Sequence, residues 1–278
     1  MATEQPTQTY RGNCHCGAFV YEAELPVIKS ALTCSCSMCH KKGTRLVFTP
    51  QDKVKFVKGD ESVLTAYQFN SKKLTHMFCT NCGSPVLGKG ETGGVATYAL
   101  NSYSIDGASV GGERVVPTYT GPEPTVEIEG AKIYHGSCHC GAVTIAVKSK
   151  DFHKDPDATS EKGLFSCGCS ICARNGNVWA YLRHEQVVVQ GRDNLTQYTF
   201  NTKLVSKPFC KICGVNVLCD WLEVSQEHLA QLPEEAKVFV ERNKHLTPVN
   251  LRALDNFSLD GLEINYTPGS HGRPYVNP

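Results

Sequence analysis

Short alternating runs dominate the hydrophobic pattern of this chain. Ala18–Ala23 (AFVYEA), Val54–Val57 (VKFV) and Val187–Gln190 (VVVQ) hold apolar side chains at alternate positions or in brief clusters. A period of two predicts short strands with one buried face, because successive strand side chains point to opposite sides. Apolar stripes at helical spacing are scarce, and Glu234–Arg242 is where they predict a short helix. The polar stretch Asp151–Lys162 predicts a surface loop. The chain therefore reads as mainly β, with a few short helices.

The pattern occurs twice. Arg11–Val20 (RGNCHCGAFV) returns as His135–Thr144 (HGSCHCGAVT), Cys34–Cys39 (CSCSMC) as Cys167–Cys172 (CGCSIC), and Phe78–Gly83 (FCTNCG) as Phe209–Gly214 (FCKICG). Between the last two blocks, Gly59–Phe69 (GDESVLTAYQF) matches Gly191–Phe200 (GRDNLTQYTF), so the similarity extends to residues that ligate nothing. This is duplication of a folded unit. Pro117–Pro124 (PTYTGPEP) punctuates regular structure and divides the chain into modules at 1–122 and 123–278. With 41% hydrophobic and 20% charged residues over 278 positions, each module can bury a core.

Fifteen cysteines change the picture. No basic segment followed by an apolar core opens the chain, and no run approaches about 18 apolar residues. The expectation is a soluble protein of the cytosol or nucleus, away from membranes, where thiols stay reduced and metal ligation outranks disulfides. Fourteen of the fifteen cysteines fall in the repeated blocks; Cys219 stands alone and reads as a buried apolar thiol.

A tetrahedral Zn2+ commonly takes four thiolates as two short pairs on separate turns. The pairs here are Cys14 and Cys16 with Cys79 and Cys82, and Cys138 and Cys140 with Cys210 and Cys213. Both CxxC pairs end in glycine, as a knuckle turn with unusual backbone angles requires. The triplets Cys34/Cys36/Cys39 and Cys167/Cys169/Cys172 remain, with no obvious fourth cysteine. Three protein ligands plus an exchangeable position is the pattern of a catalytic Zn2+, giving up to four Zn2+ per chain. Spacing alone also permits a triplet completed by one distant cysteine. Redox-active CxxC dithiols and iron–sulfur clusters rank lower: no thioredoxin-like βαβ unit surrounds the pairs, and the ligand order departs from common ferredoxin spacings.

These blocks, GxCHCGA, CxCSxC and FCxxCG in that order and twice over, resemble the glutathione-dependent formaldehyde-activating enzymes and the related centromere protein V. The resemblance covers nearly the whole chain as two tandem copies. It implies β-tent modules, a structural Zn2+ on the first and last cysteine pairs, a catalytic Zn2+ on the central triplet, and carbon–sulfur lyase chemistry with glutathione as co-substrate. The duplication, and a longer loop between Cys140 and Cys167 than between Cys16 and Cys34, depart from the single-module pattern.

A net charge of +1, with Lys and Arg scattered, offers no footprint for nucleic acid or anionic membrane and favours a small-molecule substrate. A general acid or base belongs near the metal. Candidates close in sequence are His40, Lys41 and Arg45 in the first module and Arg174, Tyr181 and His184 in the second. His15 and His139, each between two ligands, are expected to face solvent. Trp179 and Tyr181 read first as strand core and second as pocket wall; Phe78 and Phe209 read as core. Two other functions compete with the lyase: a zinc-dependent hydrolase, isomerase or dehydratase of a specialised pathway, and a non-catalytic zinc scaffold or chromatin-associated binder.

Overall fold

A computed structural model describes residues 6–102, 109, 110, 112, 114–155, 158, 163–268 and 275–278. The chain folds as two compact units, Met1–Arg114 with Val276–Pro278, and Val115–Tyr275.

In the first unit, β1 (Thr7–Asn13) and β2 (Val20–Pro26) pair antiparallel across the turn that carries Cys14 and Cys16. Then come β3 (Leu32–Cys34), α1 (Ser37–Lys42), β4 (Arg45–Pro50), β5 (Val54–Lys58), β6 (Leu64–Tyr67), β7 (Leu74–Cys79), β8 (Pro85–Thr92), β9 (Val95–Asn101) and β10 (Ser109–Val110). One sheet has the order β1-β2-β5 and a larger one β10-β3-β4-β9-β8-β7-β6. Alternation along β2 works as the sequence suggests: Tyr21, Ala23 and Leu25 are buried, while Glu24 is exposed. Phe19 meets Phe56 edge-on, with ring centres 4.9 Å apart, and Phe78 lies in the core.

The second unit repeats this order. Its strands are β11 (Lys132–Ser137), β12 (Thr144–Ser149), β13 (Leu164–Cys167), β14 (Val178–Arg183), β15 (Val187–Gln190), β16 (Leu195–Thr196), β17 (Val205–Ser206), β18 (Phe209–Cys210), β19 (Asp220–Trp221), β20 (Leu246–Asn250) and β21 (Ile264–Thr267). Helix α2 (Ser170–Asn175) follows β13, and α3 (Gln226–Ala230) and α4 (Glu234–Asn243) lie between β19 and β20. The sheet β11-β12-β15 matches β1-β2-β5, and β20-β14-β13-β21 matches β9-β4-β3-β10. Buried Trp179, Ile145, Leu182, Leu218, Leu246 and Leu251 anchor the core, each fully buried side chain of this size contributing roughly 1.5–3 kcal/mol. Phe209 is core as expected.

Besides the longer connection between Cys140 and Cys167, the units diverge most at one place. A two-residue Gly93-Gly94 turn joins β8 to β9, whereas residues 222–245 with α3 and α4 separate β19 from β20. Helix α4 is the one expected over 234–242; Pro233 precedes it, and Glu234 and Glu235 in its first turn suit the positive end of the helix dipole. The loop expected over 151–162 falls partly outside the described residues. Its described start departs from a plain surface loop: Phe152 is buried, its ring centre 5.0 Å from that of Tyr134 and 5.7 Å from that of Phe257. Among the described residues no helix is long and apolar enough to cross a membrane.

Candidate metal centres

The CxC turns and CxxC knuckles are built by backbone and sulfur hydrogen bonds. The Cys14 amide donates to the Phe19 carbonyl at 3.0 Å while the Phe19 amide donates to Cys14 Sγ at 3.3 Å. Cys138 and Val143 repeat this at 2.8 and 3.3 Å. The knuckles close through the Gly83 and Gly214 amides, which donate to the Cys79 and Cys210 carbonyls at 2.9 and 2.8 Å. Both glycines have positive φ, 70° and 72°, as the knuckle requires.

These turns gather Cys14, Cys16, Cys79 and Cys82 in one unit and Cys138, Cys140, Cys210 and Cys213 in the other, with all sulfurs of a set within 4.8 Å of one another. Neighbouring sulfurs are 3.6 Å apart for Cys14–Cys16 and Cys138–Cys140, and 3.7 Å for Cys16–Cys79 and Cys140–Cys210. A tetrahedron with metal–sulfur bonds of about 2.3 Å has edges of about 3.8 Å. The donor sets fit Zn2+.

The triplets are built differently. Cys34 ends β3, Cys36 caps α1, and Cys39 lies in the first helical turn, so the three sulfurs converge. The Cys39 amide donates to Cys36 Sγ and the Cys36 amide to Cys34 Sγ, both at 3.4 Å. Cys167, Cys169 and Cys172 converge likewise at the end of β13 and the start of α2, where the Trp179 indole N–H donates to Cys172 Sγ at 3.4 Å. Hydrogen bonds from Cys36 and Cys39 hold Cys34 far below the ordinary thiol range, and Cys169 and Cys172 do the same for Cys167. The same contacts, with burial, push Cys36, Cys39, Cys169 and Cys172 up, so without a metal one cysteine of each triplet, Cys34 or Cys167, favours the thiolate that binds metal. All four clusters could hold Zn2+.

A cavity adjoins each triplet. In the second unit it measures about 750 Å³ and reaches Cys167, Cys169, Trp179, Tyr181, Lys207 and residues of α4. In the first it is about 400 Å³, beside Cys34, Cys36 and Cys39, with Phe48, Phe69 and His76 in its walls. Of the acid–base candidates in the second module, Tyr181 lines the cavity, its phenol pushed well above its ordinary pKa by burial. Arg174 and His184 are engaged elsewhere: Arg174 donates to the Ser170 carbonyl at 2.9 Å and packs on the Tyr275 ring, and His184 bonds Thr247 Oγ1 and the Lys244 carbonyl, each at 2.8 Å. His40, Lys41 and Arg45 are not among the residues lining the first unit's cavity, and Lys41 is buried.

Two features depart from the sequence reading or were missed by it, and a third unites two of its alternatives. His15 and His139 are buried rather than solvent-facing, because the CxC turn is covered where it meets the knuckle; the His15 amide donates to Ser84 Oγ at 3.2 Å. Trp179 serves both readings given for it, being buried and lining the cavity. Lys207 and His76 were overlooked, although counting back from the CxxC blocks places Lys207 where the first module has His76 and Cys219 where it has Gly88. Lys207 Nζ lies 3.1 Å from Cys219 Sγ and 4.6 Å from the centre of the Trp179 ring. Burial works against its charge, but Cys172, Cys219, Cys169 and Tyr181 outweigh it and hold the pKa well above the usual lysine value. Burial pushes the Cys219 thiol up to about 11, which keeps it neutral beside the ammonium.

The model of the glutathione-dependent formaldehyde-activating enzyme family matches residues 9–118 and again 133–244. Among solved structures, a crystal structure of a Rhodobacter sphaeroides protein is similar at 27% identity, over 48% of this chain and 99% of its own, with a TM-score of 0.34. With two family matches in tandem, each spanning a four-cysteine cluster and a triplet, the chain belongs to the glutathione-dependent formaldehyde-activating enzyme family.

Proposed function

We propose that the chain is a zinc-dependent lyase of carbon–sulfur type, acting on a small carbonyl compound or on its adduct with glutathione or another thiol, in a reducing compartment such as the cytosol. The observation that carries this is the contrast between the clusters. Four-cysteine sets exhaust a tetrahedral metal, while the triplets leave a position and open on a cavity.

Cys34, Cys36 and Cys39, and Cys167, Cys169 and Cys172, are the residues to hold the open Zn2+. When bound, the metal supplies a site for an incoming thiolate or polarises a carbonyl. The remaining work falls to the chain. Tyr181, protonated over the physiological range, is placed to donate a proton to an oxygen in the cavity. Lys207 brings positive charge beside a centre whose three thiolates exceed the charge of Zn2+ by one. Trp179 orients the buried Cys172 through its N–H.

The size of the second unit's cavity favours a second reading, a hydrolase, isomerase or dehydratase adapted to a larger substrate. Elemental analysis of the full chain, with turnover of the glutathione–formaldehyde adduct on the same sample, tests the proposal. Close to four zinc per chain, falling to two with loss of turnover in the Cys36→Ser/Cys169→Ser variant, is the expected result. About two zinc, unaffected by these substitutions, sinks it.

A further inference from the structure

The cavity of the second unit has a chemical character that its triplet alone does not explain. Six aromatic side chains line it, Phe165, Trp179, Tyr181, Phe200, Trp221 and Phe239. Its volume of about 750 Å³ lies in the range that encloses a drug-sized molecule. Among the charged side chains that line it, Glu234, Glu235 and Arg242 are exposed on α4, whereas Lys207 is partly buried at the inner end, beside Trp179 and Cys219.

Lys207 is the directional element. An ammonium has three protons to donate and is costly to remove from water unless they are received. Among the described residues its direct contacts are the Cys219 thiol at 3.1 Å and the face of the Trp179 ring; Cys172 and Cys169 of the triplet favour its charge from nearby, and no carboxylate is paired to it. A neutral thiol is a weak acceptor. The cation therefore retains donor capacity toward the cavity it lines.

The first unit, whose cavity is lined by Phe48, Phe69 and Lys73, differs at the positions that matter here among its described residues. His76 stands at the position of Lys207, Leu46 at that of Trp179 and Gly90 at that of Trp221, and no helix corresponds to α4. Its cavity is about half the size.

We propose that the second unit's cavity binds a planar aromatic compound bearing an acidic oxygen, a phenolate or a carboxylate, which Lys207 receives while the rings lie against the wall formed by Trp221 and Phe239, whose ring centres are 5.6 Å apart. This rests on the reading of Cys167, Cys169 and Cys172 as an open metal site, toward which the compound's reactive group then points. Lys207 is the residue that determines specificity, and α4 supplies the wall that the first unit does not have.

The chain itself provides the probe. It has two tryptophans, Trp179 and Trp221, and both line this cavity, so tryptophan emission, excited selectively over tyrosine, reports on it alone. Titration of the full chain with 1-hydroxy-2-naphthoate is expected to give saturable quenching. Lys207→Gln should weaken binding about tenfold or more, Lys207→Arg should retain it within a few-fold, and Phe239→Ala should weaken it several-fold. The uncharged 2-acetylnaphthalene should bind more weakly, and with the same affinity whether or not the Lys207→Gln substitution is present. Absence of saturable quenching, or equal naphthoate affinity in Lys207→Gln, overturns the proposal. Should Lys207→Gln lose zinc or fold poorly, unchanged affinity in Phe239→Ala overturns it instead. Zinc content and adduct turnover on the same preparations separate the two readings: naphthoate failing to bind an active, zinc-loaded enzyme sinks only the aromatic ligand. Tight naphthoate binding to a chain with full zinc and no turnover sinks only the lyase.

Discussion

The two units keep their cysteine clusters and differ in the walls around them. In both, a CxC turn and a CxxC knuckle close a four-cysteine cluster, and a strand end and helix start gather a triplet. The differences lie elsewhere: Gly93-Gly94 against residues 222–245, and His76 with Gly88 against Lys207 with Cys219. Even an ion pair has been kept with its charges exchanged, Glu61–Lys89 in the first unit and Arg192–Asp220 at the matching positions in the second. The cysteine clusters are alike in the two units, whereas His76 and Lys207 stand at one position in the walls of their two cavities.

The largest effect should come from the closed clusters. A structural zinc contributes on the order of 10–16 kcal/mol in small zinc domains. Cys79→Ser and Cys210→Ser should therefore each abolish the cooperative unfolding of one unit, read by calorimetry beside zinc content; melting unchanged in both would break the structural assignment. Next come the triplets. Cys169→Ser should leave the second unit folded and lower turnover by about 100-fold or more, since a ligand matters at least as much as the groups that orient it. Measured against Cys36→Ser, it shows which unit works, and a larger loss from Cys36→Ser would invert the comparison.

Smaller effects test what the duplication preserved. Gly59 and Gly191 occupy matching positions with φ of +69° and +71°, and a Cβ would sit 2.4 Å from the Ala18 carbonyl oxygen in one and 1.9 Å from that of Ala142 in the other. Alanine at either should cost about 2–3 kcal/mol in chemical denaturation, more at Gly191. The exchanged ion pair is the smallest case. Arg192→Glu should cost about 0.5 kcal/mol and regain it with Asp220→Lys, and a double-mutant cycle with no coupling would make the exchange incidental.

Much of this was legible because it is local. Ligand spacings such as Cys34/Cys36/Cys39 act over a single turn, and a strand period of two needs no distant partner. The repeat reinforced those signals, since Cys14 and Cys138 found their counterparts together with non-ligating neighbours. The cavity was not legible, because Phe165, Lys207 and Phe239 come from separate elements that only packing brings together. For the same reason proximity in sequence was a poor guide to the acid–base group: Tyr181 reaches the cavity, whereas Arg174 and His184 spend their donors and acceptors on nearby carbonyls and a hydroxyl. The burial of His15 and His139 depends on contact between two turns far apart in the chain.

The Gly93-Gly94 turn has a consequence for protein engineering. A side chain added at either glycine would meet nothing within 4 Å, and the strands it joins end side by side. Lengthening such a turn to the span of 222–245 raises the closure entropy by only about 2 kcal/mol. The hairpin tip is thus a socket, into which a recognition element can be grafted from one copy to the other without touching the strands that carry the sulfurs.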